Sequence, residues 1–139
     1  MADSKDMKKI LIVEDDPDVA KALAIRLECS GYEVNIAQDA LLGVSKAVKD
    51  APDLALLDIS LPAGNGFTVA DRIQELLPQE TPLIFLTASK QPDFRKKARL
   101  LGAVDFFEKP YDIERLLTSI KVALKQIILN HSCKKEVTP

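Results

Sequence analysis

Glu14, Asp15 and Asp16 follow one another directly after the apolar run from Ile10 to Val13. Neighbouring carboxylates repel, and each is costly wherever water is scarce. A hard divalent cation would offset that repulsion, and Mg²⁺ suits the role because it takes oxygen ligands and keeps waters that a phosphate can replace. Asp58 ends a second apolar run, "LALLD", Thr87 ends a third, "LIFLT", and Lys109 closes a fourth, "DFFEK". Carboxylates can attack phosphorus to form acyl phosphates, so Asp58 is a candidate nucleophile. A transferring phosphoryl group needs its equatorial oxygens neutralised. The cation could take one, the Thr87 hydroxyl another and the Lys109 ammonium a third, while Ala88 beside Thr87 leaves room for the group.

These residues are far apart in the chain, so the elements that carry them must bring them together. Short runs rich in branched apolar residues alternate with longer segments of helical period, the pattern of an α/β domain with a parallel sheet. Strands are expected at Ile10 to Val13, Tyr32 to Ala37, Leu54 to Leu57, Leu83 to Leu86 and Asp105 to Glu108. Helices are expected at about Asp18 to Cys29, Ala40 to Lys49, Phe67 to Leu77, Phe94 to Leu101 and Ile113 to Leu129. Pro17 suits a first helical turn, Asp112 an N-cap, and Gly31 and Gly102 the residues that end helices. Parallel strands would gather all four polar clusters at their C-terminal ends, where open α/β sheets bind ligands.

With 139 residues, 47% hydrophobic and 29% charged, the chain reads as one ordinary globular domain. A formal net charge of -2 favours neither direct nucleic-acid binding nor membrane-surface attachment. Cys29 and Cys133 make no metal-ligand spacing, no run reaches membrane-spanning length, and the N-terminus has no signal-peptide core; a reduced, cytoplasmic setting is expected. The expected layout is a disordered segment 1–7, a domain over 8–131 with an extended last helix, and a flexible tail 132–139.

The motifs "IVEDD", "LLDISLPAGNG", "LTA" and "EKP", in this order, resemble the receiver domain of bacterial two-component response regulators over roughly Lys8 to Lys125. The resemblance implies a flavodoxin-like (βα)5 fold, with sheet order 2-1-3-4-5 and helices on both faces. It implies that a sensor histidine kinase or phosphotransfer protein phosphorylates Asp58, with Mg²⁺ held by Asp15, Asp58 and the Ser60 carbonyl and reached by Glu14 through water. Lys109 would pair with the phosphoryl group, and the peptide before Pro110 is usually cis in such domains. Thr87 would move toward the phosphate while Phe106 turns inward, altering the face of the fourth helix, fifth strand and fifth helix that controls an output partner or domain. Phe106 has no hydroxyl, so it would report its state by packing alone. Ser60 and Ser89 stand where such domains tune phosphate lifetime; neither orients water strongly, which implies slow loss. Such a domain is a switch that catalyses only its own phosphorylation and dephosphorylation, not an enzyme in the ordinary sense.

Other readings explain fewer of these residues. A haloacid-dehalogenase-type phosphatase also uses an Asp nucleophile with Mg²⁺, but would need a second Asp where Ser60 stands. A flavodoxin-like electron carrier would need a hydroxyl-rich phosphate loop where "EDDP" stands. A receiver-like binding module that works without phosphate would not need the intact acid, Asp, Thr and Lys set. Taken singly, Asp16 reads as an N-cap, His131 as a surface residue, and Arg95, Lys96, Lys97 and Arg99 as a solvated face, with an acidic partner as the alternative. An apolar stripe of Ile113, Leu116, Leu117, Ile120, Leu124, Ile127 and Ile128 marks the last helix. Ile127, Ile128 and Leu129 are expected to meet a second copy or to begin a connector, with a frayed helix end as the alternative; a homodimer through the fourth and fifth helices is a further expectation.

Overall fold

The structure, a computed structural model, describes residues 7–137, with side chains described through Lys125. The elements run β1 (Lys9–Val13), α1 (Pro17–Cys29), β2 (Glu33–Ala37), α2 (Ala40–Asp50), β3 (Leu54–Asp58), β4 (Ser60–Leu61), β5 (Gly64–Asn65), α3 (Gly66–Leu76), β6 (Leu83–Thr87), α4 (Pro92–Leu100), β7 (Asp105–Glu108) and α5 (Ile113–Val137). Five parallel strands form one sheet in the order β2-β1-β3-β6-β7, which is the expected 2-1-3-4-5 once the small β4–β5 hairpin is set aside.

Parallel strands are covered on both faces, which is why their sequences read as continuous apolar runs. Ile10 and Ile12 of β1 pack with α1 and α5, through Leu23, Leu27, Leu116 and Ile120. Leu11 and Val13 point the other way, toward α2, α3 and α4, through Ala47, Val69, Ile73 and Ala98. The same alternation separates Leu54 and Leu56 from Ala55 and Leu57. Two helices therefore cover one face and three the other. Of the α5 stripe, Leu116, Ile120 and Leu124 are buried, while Ile127, Ile128, Leu129 and His131 lie outside the described side chains.

The caps follow from side-chain chemistry. Asp16 accepts hydrogen bonds from the Asp18 and Val19 amides at 3.0 and 3.4 Å, and Asp112 accepts from the Glu114 amide at 2.9 Å. Gly31 and Gly102 follow α1 and α4 with φ of 95° and 79°. Asp39 and Asn65 cap α2 and α3 in the same way, and neither cap was expected.

Three features depart from expectation. Helices α3 and α4 begin earlier, at Gly66 and Pro92, because Asn65 supplies a cap and Pro92 opens a first turn. The backbone of α5 is helical through Val137, where an end near Leu129 was expected. The β4–β5 hairpin was not anticipated, since two-residue strands carry no periodicity to read. It pairs Ser60 with Asn65 and Leu61 with Gly64, turning through Ala63 and Gly64 at positive φ.

Candidate functional site

Register assembles the site. Val13 of β1 pairs with Leu57 of β3, so Glu14 and Asp58 each lie one residue beyond paired neighbours. Asp58 in turn pairs with Leu86, and Thr87 with Glu108, which sets Thr87 and Lys109 one step further along the same edge. The C-terminal ends of β1, β3, β6 and β7 thus bring these residues to one cluster at the edge of the sheet. Lys109 projects into it: its Nζ donates to Glu14 Oε1 at 2.7 Å and to Asp58 Oδ2 at 3.0 Å. The lysine side chain is 23% exposed and both acids are buried, so these contacts form largely out of water.

The electrostatics follow from that crowding. Burial, and then the close approach of the Asp58 carboxylate, push the Glu14 carboxyl up to about 7 against the opposing pull of Lys109. Burial alone would lower Lys109, but its hydrogen bonds to Glu14 and Asp58 outweigh that and hold it above the usual lysine value. Glu14 Oε2 is buried with no hydrogen-bond partner. Carboxylate oxygens of Glu14, Asp15 and Asp58 lie within 4.8 Å of one another, a separation that one cation can bridge. An all-oxygen donor set with an orphaned carboxylate oxygen and one solvent-facing acid, Asp15, fits a hard divalent ion that retains waters. That ion would supply a Lewis acid for phosphate oxygens.

The remaining candidates lie around this centre. The Ser60 amide donates to Asp58 Oδ1 at 3.2 Å, holding the carboxylate from the hairpin side. Thr87 is fully buried, its Oγ1 accepting from the Ser89 amide at 3.0 Å and its carbonyl from the Lys109 amide at 2.7 Å. Ala88 is exposed at the rim, and Ser89 is half-buried beside it. The Lys109–Pro110 peptide is cis. Phe106 is 8% exposed, and the Arg95 guanidinium lies 4.7 Å over its ring. Arg95 also reaches Glu108 Oε1 at 3.9 Å, so part of the basic α4 face is engaged within the chain.

Gly66 was missed among the site-forming residues. It is buried directly behind the nucleophile candidate, and a Cβ there would stand 2.3 Å from the Asp58 carbonyl oxygen. Its amide donates to the Ile59 carbonyl at 2.9 Å. Only a residue without a side chain lets α3 start that close to the end of β3. The sole local signal was a glycine just after a cap residue.

Parallel α/β topology in this strand order, with an acid cluster, a strand-end aspartate and a bridging lysine at the C-terminal edge, defines a doubly wound α/β domain with its polar site where such sheets bind ligands. Residues 10–121 match the family described as the response regulator receiver domain. The chain is 41% identical over 121 residues to the response regulator ArlR of Staphylococcus saprophyticus, covering 86% of this chain and 54% of that protein. It is 36% identical over 121 residues to the DNA-binding dual master transcriptional regulator RpaA of Synechocystis, covering 86% of this chain and 50% of that one. Among solved structures, a CheY-like receiver domain protein from Methanospirillum hungatei superposes with a TM-score of 0.82 at 32% identity, over 86% of this chain and 95% of that one.

The chain belongs to the response regulator receiver family. It spans about half the length of the curated relatives it matches. The haloacid-dehalogenase reading gains no support from these matches. Among the described residues no helix is long and apolar enough to cross a membrane.

Proposed function

We propose that this domain is a phosphorylation-driven switch in which Asp58 accepts a phosphoryl group from a histidine kinase or a phosphotransfer protein in the cytoplasm. The observation that carries the reading is the Lys109 ammonium held between Glu14 and Asp58 at 2.7 and 3.0 Å, beside carboxylates spaced for one cation. Asp15, Asp58 and the Ser60 carbonyl would hold Mg²⁺, with Glu14 reaching it through water. Lys109 already contacts the Asp58 carboxylate and would follow it onto a phosphoryl oxygen. Ala88 at the rim leaves space for that group, and the Thr87 hydroxyl would exchange the Ser89 amide for it.

Movement of Thr87 would vacate volume beside β7, which Phe106 fills, changing the surface of α4, β7 and α5 read by an output partner or domain. Ser60 and Ser89, both small, would set a slow loss of phosphate. The test is incubation with acetyl phosphate and Mg²⁺, followed by location of the label by mass spectrometry. Label is expected on Asp58 alone; label persisting in Asp58→Ala would overturn the assignment.

A further inference from the structure

Beside the acid cluster lies a concavity of about 420 Å³, within the range that holds small ligands. Asp15 and Ser60 line it, so it shares a wall with the candidate phosphorylation site. The hairpin and α3 contribute Asn65 and Phe67, and α4 contributes Phe94 and Lys97. Its floor is aromatic: Phe67 meets Phe94 edge-on at 5.4 Å and is backed by Phe85 at 5.1 Å. The Lys97 ammonium stands 5.5 Å over the Phe67 ring and pairs with no carboxylate among the described residues. One continuous hollow therefore runs from an acid of the metal-type cluster, across an aromatic surface, to a cation.

We propose that this hollow is a leaving-group subsite for small acyl phosphates with a planar or aromatic body. The inference rests on Asp58 being the phosphoacceptor. An Asp58 oxygen attacks phosphorus, the bond from phosphorus to the acyl oxygen breaks, and the carboxylate departs with the electron pair; no proton changes place. That departing anion is what Lys97 complements in charge, and its ring is what Phe67 and Phe94 complement in shape. The arrangement favours a donor carrying an aromatic ring over one carrying a methyl group.

Labelling rates of Asp58 with benzoyl phosphate and acetyl phosphate, at equal sub-saturating concentrations with Mg²⁺, test this. The wild-type chain is expected to favour benzoyl phosphate about tenfold, the effect of one good aromatic contact. Phe94→Leu keeps the apolar volume and should bring the ratio near one, while Lys97→Gln, a surface change, should raise the concentration of benzoyl phosphate needed for half-maximal rate. Equal rates for the two donors in the wild type, or an unchanged ratio in Phe94→Leu, would overturn the subsite while leaving Asp58 labelling intact. If neither donor labels Asp58, the phosphoacceptor assignment falls and the subsite with it.

Discussion

Replacing Lys109 with Met keeps most of the side-chain volume and removes the one cation that bridges Glu14 and Asp58. Those acids are 4% and 6% exposed, so the charge left behind is largely cut off from water. Breaking a fully buried pair costs about 3–5 kcal/mol, and partial exposure of the lysine brings the expected loss nearer about 2 kcal/mol. For a domain of this size that lowers the melting temperature by about 4–8 °C. The loss must depend on pH. Glu14 already titrates at about 7 against an ordinary 4.5, so the folded state holds its proton more tightly than the unfolded chain does. Its contribution to stability is fully present below 4.5 and is lost as pH rises through about 7. Removing Lys109 deepens that loss, so the variant should melt well below the wild type at pH 8 and close to it at pH 5. Scanning calorimetry in EDTA at the two pH values reads this directly. Adding Mg²⁺ at pH 8 should then raise the variant's melting temperature more than the wild type's, because more unbalanced negative charge awaits the ion. Equal losses at both pH values, or an Mg²⁺ effect no larger than in the wild type, would refute the electrostatic account.

Three further substitutions separate metal binding from geometry. Mg²⁺ alone is expected to bind in the millimolar to submillimolar range, because it sheds water reluctantly and few protein oxygens are offered. Asp15→Asn should abolish that binding without loss of thermal stability, since it relieves carboxylate repulsion; an unchanged Mg²⁺ titration by calorimetry would contradict the site. Gly66→Ala places a methyl group against the Asp58 carbonyl and should cost about 1–3 kcal/mol in chemical denaturation while slowing labelling of Asp58. Gly31→Ala, strained at φ 95° but open to space, should destabilise the chain and leave that labelling rate alone.

The elements were legible because their signals are local. Continuous apolar runs marked strands buried on both faces, as Ile10 to Val13 are, and Pro17, Gly31 and Gly102 marked the helix limits. The identity of the acids, Asp58, Thr87 and Lys109 was equally open, because each stands at the end of such a run. Their mutual arrangement is a different kind of information. Only the pairing of β1 with β3, β3 with β6 and β6 with β7 decides that Lys109 reaches both Glu14 and Asp58, and a slip of one residue would turn every side chain to the opposite face. The raised Glu14 carboxyl, the closeness of Gly66 to Asp58 and the Arg95 guanidinium over Phe106 depend on contacts between residues distant in the chain. Nothing within a few residues of any of them encodes those distances, because burial and through-space charge come into being only when the sheet has closed and its helices have packed.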